Sequence, residues 1–404
     1  MKLLVFAHTP PPHHGQSFMV KMLLDHLRED SRFECHHVDA RFSDEVGQIG
    51  QASLGKIKRA LKFSLAAIRL RFRHRVTTFY YVPASATRAA MYRDWVVMAL
   101  CRPFFSKFIF HWHSAGLADW LINSARPWER AITRFLLRRP ALCIVLAENL
   151  RHDAEFLNAR RVEVIPNGLP DPCPQFWSTL APARQARLAE LRALMAGQPG
   201  SASPSTRPPV FRVLFLSLCM REKGLFDAVE AIALANRQLT ASGHALRMQL
   251  IVAGKFYLET GRVEFEQRVA QPDLNGSAPA DAPVASYRGF VSGETKGALF
   301  READCFCFPS YYPMEGHPVS VVEALAHGLP VVASRWRALP DLFPENYPGL
   351  VNPKAPEELA AKLLEFVTLG AGAELRRRYE ALYWEASYIE RMKAALLQVE
   401  HERA

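Results

Sequence analysis

Residues 305–333 read CFCFPSYYPMEGHPVSVVEALAHGLPVVA. Cys305 to Phe308 is a short apolar run that predicts a buried strand. A Pro/Gly loop follows it, and a helix is predicted from near Pro318, because proline suits the first helical position. Gly328 marks the end of that helix, and Leu329 leads into a second apolar run at Pro330 to Ala333. Strand, loop, helix and strand within thirty residues make a βαβ unit, and hence a parallel sheet.

The same alternation runs outward on both sides. Strand-like runs occur at Leu3–Phe6, Phe79–Val82, Phe108–Phe110, Leu142–Leu146 and Val162–Ile165. Helical patterns separate them, from about Gln16 and around 89–101, 128–138 and 147–157. The texture changes near 170. Asp171-Pro172-Cys173-Pro174 opens a stretch with a short helix at about 181–196, and 198–209 is rich in Pro, Ser and Gly. Strand patterns restart at Val210–Leu216 and continue at Met248–Val252, Ser286–Arg288, Cys305–Phe308 and Pro330–Ala333. Two doubly wound α/β halves are predicted, with ligands outside the carboxyl ends of strands and in the cleft between the halves.

The 404 residues suit two domains. The expected divisions are an N-terminal Rossmann-like domain at 1–170, a linker with a short helix at 171–209, and a C-terminal Rossmann-like domain at 210–380. A last helix at 381–404 is expected to pack back on the N-terminal domain. Apolar residues make up 49% and charged residues 22%, which excludes a disordered chain. No apolar run approaches the ~18 residues of a spanning helix. The N-terminus lacks the apolar core of a signal peptide, so a cytoplasmic location is expected. Seven scattered cysteines without a CxxC read as buried free thiols.

The net charge of +10 is concentrated. Residues 46–118 hold twelve Lys/Arg and one acid, Asp94, whereas the rest of the chain is close to neutral. At ~100° per residue, Ile57, Leu61, Leu65, Ile68 and Phe72 fall on one stripe of a helix over 54–75. Lys58, Arg59, Lys62, Arg69 and Arg73 form a band beside it. Such a basic amphipathic helix is the type that lies on anionic lipid. The stripe alternatively packs inward while the cations alone face lipid. No nucleic-acid motif accompanies the segment.

In the 305–333 stretch, the helix N-terminus after a Gly-containing loop is a ready anion site, with backbone N–H groups near 316–320. Glu315 and Glu323 flank it, on the order of 10 Å apart at ~1.5 Å per residue. Each carboxylate can accept from two neighbouring hydroxyls. No DxD, GxGxxG or GxxxxGKS/T occurs.

This segment resembles the E-x7-E signature of retaining nucleotide-sugar glycosyltransferases of family 4, which have the GT-B fold: two Rossmann-like doubly wound domains facing across a cleft. The resemblance extends to Pro10–Gln16, His111-Trp112-His113-Ser114, Val164-Ile165-Pro166-Asn167-Gly168, Arg221-Glu222-Lys223-Gly224 and Gly289-Phe290-Val291. It implies a donor that is a nucleoside diphosphate sugar, bound by the C-terminal domain, and an acceptor hydroxyl, bound by the N-terminal domain; the basic segment points to an acceptor that is a glycan or lipid-linked molecule, as in cell-surface polysaccharide or lipopolysaccharide assembly. It implies catalytic roles for Glu315, His113 and Lys223. It places Gly15, Arg221, Lys223, Glu315, Gly316, His317, Val319 and Glu323 at the donor, with Glu315 on the sugar, Glu323 on the ribose and Lys223 on the diphosphate. His111, Asn167 and Gly168 would lie near the site. Leu218 stands where many relatives carry a second phosphate-clamping Arg, and Pro318 stands where many carry a Gly. The implied reaction is same-face transfer; the lack of a DxD, with Lys223 and a helix N-terminus available, points to no metal or cofactor, and the basic segment points to the inner face of the cell membrane. A nucleotide-sugar 2-epimerase of similar fold and a non-catalytic binder of anionic surfaces are the alternatives.

Overall fold

The structure, a computed structural model, describes residues 1–11, 15–42, 54–84, 86–197, 209–271, 274, 283–370 and 372–401. His13, His14 and most of the Pro/Ser-rich stretch, 198–208, lie outside them. The chain forms two compact units. The first comprises Met1–Gly168, Pro313–His317 and Glu385–Ala404, and the second Leu169–Tyr312 and Pro318–Trp384.

The first unit runs β1 (Lys2–Ala7), α1 (Gly15–Glu29), β2 (Glu34–Asp39), α2 (Leu54–His74), β3 (Thr78–Tyr81), α3 (Arg88–Cys101), β4 (Lys107–His111), α4 (Leu117–Asn123), α5 (Pro127–Leu137), β5 (Leu142–Val145), α6 (Arg151–Glu155) and β6 (Val162–Val164). Its strands are parallel in the order β2-β1-β3-β4-β5-β6. The order reverses between β1 and β3. The central strands are apolar on both faces, as strands covered on both sides must be. Phe6, Phe79, Tyr81 and Phe110 are buried, with ring centres 5.4–6.2 Å apart. The Glu385–His401 helix docks here. Lys107 donates to the Val399 carbonyl at 2.6 Å, and Arg161 donates to Gln398 at 2.7 Å.

Strand β2 went unforeseen because Glu34-Cys35-His36-His37-Val38-Asp39 is polar, as an edge strand can be. The helical pattern at 147–157 is a 3-10 turn, Glu148–Leu150, followed by one α turn and a little more. Helix α4 also escaped the sequence reading. Its start is capped from afar, with the buried Asp153 carboxylate accepting from Gly116 N–H (2.9 Å) and Ala118 N–H (2.7 Å).

The second unit runs α7 (Ala181–Met195), β7 (Val210–Leu216), α8 (Leu225–Ala241), β8 (Arg247–Ala253), α9 (Glu259–Val269), β9 (Ala285–Tyr287), α10 (Gly293–Glu302), β10 (Cys305–Phe308), α11 (Val319–Ala326), β11 (Val331–Ser334), β12 (Leu350–Val351), α12 (Pro356–Leu369) and α13 (Gly372–Leu382). Its parallel order, β12-β11-β10-β7-β8-β9, is the dinucleotide-fold order, with reversal between β7 and β10. Helix α7 is part of this unit rather than free linker. The Arg184 guanidinium on α7 donates to the carbonyls of Phe300, Ala303 and His327 at 2.8–3.0 Å. Pro318 is the N-cap of α11 and not its first helical residue, so the helix starts one position later than the sequence predicts. All seven cysteines are free, and all but Cys35 are buried.

Candidate active site

In an open parallel sheet, the loops that leave neighbouring strands in opposite directions open a crevice at the switch point. In the second unit these are the loops after β7 and β10. The first runs into a 3-10 turn, Arg221–Lys223, and then into Gly224 at φ 77°. A Cβ at Gly224 would stand 2.2 Å from the Pro309 carbonyl oxygen, so this turn lies directly on the loop leaving β10. Tyr311 N–H donates to the Glu222 carbonyl at 2.8 Å and closes the contact.

The turn aims Lys223 across the strand ends. Its Nζ is 4.8 Å from the Tyr312 ring centre and 5.6 Å from that of Phe308. Trp336 fixes this loop by donating its indole N–H to the Tyr312 carbonyl at 2.8 Å. Arg221 turns away. It pairs with Glu264 and stacks 4.5 Å over Phe226.

Beyond the loop, α11 begins at Val319 without a side-chain cap and without an acid in its first turn. Glu323, one turn further, is largely buried and pairs with Lys296 from α10. Burial raises the Glu323 carboxyl above its ordinary value, and the ammonium opposes that rise. Neither Lys296 nor Trp336 was expected from the sequence. Lys296 follows the Gly289-Phe290-Val291 motif, but no spacing rule links it to a glutamate on another helix.

The first unit holds the other expected residues. Strand β4 ends at His111, whose buried Nδ1 bonds the Tyr80 hydroxyl. Burial pushes the His111 imidazole down to about 3, so it is neutral at pH 7. The His113 ring lies 4.1 Å from that of His111 and is partly exposed. The Pro313–His317 segment packs against this strand end. Ala115 N–H donates to the Met314 carbonyl at 3.4 Å, and Asn167 Nδ2 donates to the His317 carbonyl at 3.0 Å. Glu315, His317 and Asn167 are all buried. A Cβ on Gly316 would meet the His113 carbonyl oxygen at 2.7 Å, so glycine alone fits. Gly15 opens α1, at the carboxyl end of β1.

Among the described residues, the group with metal-ligand spacing is Glu34, His36 and His74, whose ligand atoms lie within 4.8 Å of one another. It sits at β2 and the end of α2, apart from the strand ends above. Lys2 Nζ is 3.1 Å from Glu34 and already supplies a cation there.

The basic helix α2 spans Leu54–His74, close to the expected range, but its faces are inverted relative to an inward-packed stripe. Ala60, Ser64 and Ala67 are fully buried, and α2 packs on α3. Ile57, Leu61, Leu65 and Phe72 are 43–63% exposed. Small residues let the helix axes approach closely, so the larger stripe is left facing out. Asp94, the one acid of the segment, is buried. It accepts from the Tyr81 hydroxyl and Ala84 N–H, each at 2.7 Å, and pairs with Arg93. The exposed surface of this segment is therefore cationic and apolar.

Residues 211–368 match the family described as Glycosyl transferases group 1. The matched residues make up about two fifths of the chain. The match encloses the Lys223 turn, the Glu323 helix and the switch point between β7 and β10. Two curated relatives are similar to parts of the chain. The putative colanic acid biosynthesis glycosyltransferase WcaL of Salmonella typhimurium is 32% identical over 187 residues, 44% of this chain and 42% of its own length. The amylovoran biosynthesis glycosyltransferase AmsK of Erwinia amylovora is 29% identical over 157 residues, 38% of this chain and 35% of its own. The chain thus matches about two fifths of the length of these relatives. The solved structure of Anabaena Alr3699/HepE in complex with UDP superposes with a TM-score of 0.68 at 16% identity, covering 98% of this chain and all of that one. The matched residues lie mainly in the second of the two Rossmann-like units, and the fold is GT-B.

Proposed function

We propose that the chain is a retaining glycosyltransferase. It moves a sugar from a nucleoside diphosphate sugar to an acceptor hydroxyl on a lipid-linked or polysaccharide substrate. The observation that carries this reading is the Lys223 turn. An ammonium projects over aromatic rings at the switch point of a dinucleotide-type sheet, beside the uncapped start of α11. A compact cation and free helix N–H groups both suit a diphosphate, whose charge grows as the glycosidic bond breaks. Lys223 and the N–H groups near Gly316, His317 and Val319 stabilise that charge. Glu323 accepts from ribose hydroxyls and Glu315 from sugar hydroxyls. His113 orients the sugar, and Gly15 lets backbone approach the phosphates. Arg221 joins only by exchanging Glu264 for phosphate. The departing phosphate takes the acceptor proton, so neither a protein base nor a metal is required. The relatives' names, which concern colanic acid and amylovoran, support an acceptor in cell-surface polysaccharide assembly.

The outward face of α2 supports work at an anionic membrane surface. Burying the exposed remainder of Ile57, Leu61, Leu65 and Phe72 contributes about 1 kcal/mol each. Lys58, Arg59, Lys62, Arg69 and Arg73 add roughly 1 kcal/mol each near anionic lipid. A sum on the order of 9 kcal/mol corresponds to sub-micromolar binding before ordering costs. No helix among the described residues is long and apolar enough to cross a membrane.

Thermal-shift measurements with UDP, GDP and their sugars test the donor assignment, because a ligand of the native state raises its stability. Glu315→Ala abolishes transfer on this reading, and wild-type turnover by that variant would sink it. Replacing Ile57, Leu61, Leu65 and Phe72 by Ser removes co-sedimentation with anionic vesicles. Undiminished sedimentation would count against the membrane face.

A further inference from the structure

At the opposite end of β4 from His111, the first unit holds an open cavity of about 430 Å³. Its wall carries Arg102, Lys107, Arg138, Arg139 and Arg160, over a floor that includes Phe105 and Phe108. No Asp or Glu lines it. Strand β4 separates the cavity from the His111–His113 end by about 13 Å, four steps of ~3.3 Å.

Helix ends explain only part of this charge. Arg102, the C-cap of α3, donates to the Leu136 and Arg138 carbonyls at the end of α5, at 2.8 and 2.6 Å. Lys107 donates to the Val399 and Glu400 carbonyls at the end of the C-terminal helix, at 2.6 and 3.1 Å. Three helix carboxyl ends offer roughly −1.5 charge in all, against five cations. Glu400, the nearest acid along this helix end, pairs with the Met1 ammonium at 3.4 Å. The crowding is felt inside the wall: burial and the neighbouring Arg138 both lower the proton affinity of Arg102. Five cations and no carboxylate in the lining of one concavity suit a multivalent anion, and guanidinium forks match phosphate oxygens in pairs.

We propose that this cavity is a binding site for a multivalent phosphate anion, separate from the donor site. Arg138, Arg139 and Arg160 form its exposed rim, and Arg102 and Lys107 its inner wall. The site does not depend on the transferase reading, since it uses none of the residues assigned to the donor.

The test is calorimetric titration of the full chain with inorganic pyrophosphate in a Lys223→Ala background, which removes the main cation of the proposed donor site. Pyrophosphate binds this variant, and adding Arg138→Gln, Arg139→Asn and Arg160→Gln weakens binding at least ~10-fold through loss of charge-assisted hydrogen bonds. Asn is chosen at Arg139 because its backbone is left-handed, at φ 49°. Arg160→Gln alone, on an exposed side chain, gives a smaller loss in the same direction and guards against misfolding of the triple variant. Failure of pyrophosphate to bind, or equal binding with and without the three arginines, overturns the proposal. Vesicles of phosphatidylcholine with and without phosphatidic acid separate the sources of phosphate. Competition by phosphatidic acid vesicles identifies a lipid headgroup, and pyrophosphate binding without such competition identifies a soluble anion.

Discussion

Helix α8 carries a left-handed glycine at each end, and the two form a controlled comparison. Gly224 caps its start at φ 77°, and Gly243 follows its end at φ 73°. An alanine at either position takes a left-handed backbone, which costs about 1–2 kcal/mol. At Gly243 nothing lies within 4 Å of the added Cβ, so that cost is the whole effect. At Gly224 the same Cβ stands 2.2 Å from the Pro309 carbonyl oxygen and 2.7 Å from its carbon. Neither backbone atom can swing aside as a side chain would, so the turn must lift off the β10 loop. Relief of such overpacking costs about 1–3 kcal/mol more. Gly224→Ala should therefore destabilise the protein by about 2–5 kcal/mol, and Gly243→Ala by about 1–2. Denaturant titration of both variants measures the difference. Lifting the turn also carries Lys223 away from Tyr312, so Gly224→Ala should lose its thermal response to nucleoside diphosphates while Gly243→Ala keeps it. Equal stability losses in the two variants, with nucleotide response retained in both, would refute the claim that this close approach builds the site.

The remaining expectations concern charge. Lys223→Ala should abolish the nucleotide-induced thermal shift yet cost less than ~1 kcal/mol of stability without ligand, since an exposed cation–π contact is worth about that much; an undiminished shift would remove Lys223 from the donor site. Glu323 has a raised proton affinity in the fold, so its contribution to stability is full at low pH and is lost as pH rises through the folded value. Lys296→Met removes the cation that limits this effect, and its urea midpoint should fall more steeply than wild type between pH 5 and pH 8; parallel curves would argue against the pairing. His111 is held down to about 3 from an ordinary 6.5, so between those values only the unfolded imidazole is protonated. Stability should decline as pH drops through that window, by as much as ~5 kcal/mol in total, and His111→Gln should flatten the decline when the two pH series are compared.

The fold was legible where hydrophobicity is one-dimensional. Central strands such as Phe79–Tyr81 and Cys305–Phe308 are apolar on both faces, and a run of that kind has few other uses. Strand β2 and helix α4 were not legible, because partners distant in sequence hold them: the β1 backbone for one and Asp153 for the other. At the candidate site, Lys223 and the two glutamates stood out through motif spacing. Lys296, Trp336 and Tyr312 did not, since each meets its partner through the sheet and not along the chain.

Helix α2 shows the same limit at the scale of a whole surface. Periodicity identifies an apolar stripe but not which way it faces. Two stripes run along this helix. One is large, through Ile57, Leu61, Leu65 and Phe72; the other is small, through Ala60, Ser64 and Ala67. The usual rule sends the larger stripe inward, because it buries more area. Here the small one is buried against α3, and the larger is left in the open beside a band of cations, Lys58, Arg59, Lys62, Arg69 and Arg73. A soluble surface gains nothing from four half-exposed large side chains on one helix face. On the proposed membrane reading, their cost in water is recovered against lipid, and the neighbouring charge favours an anionic surface. The inversion of the two stripes therefore says more about where this protein works than the net charge does, because charge alone would also suit a soluble anion.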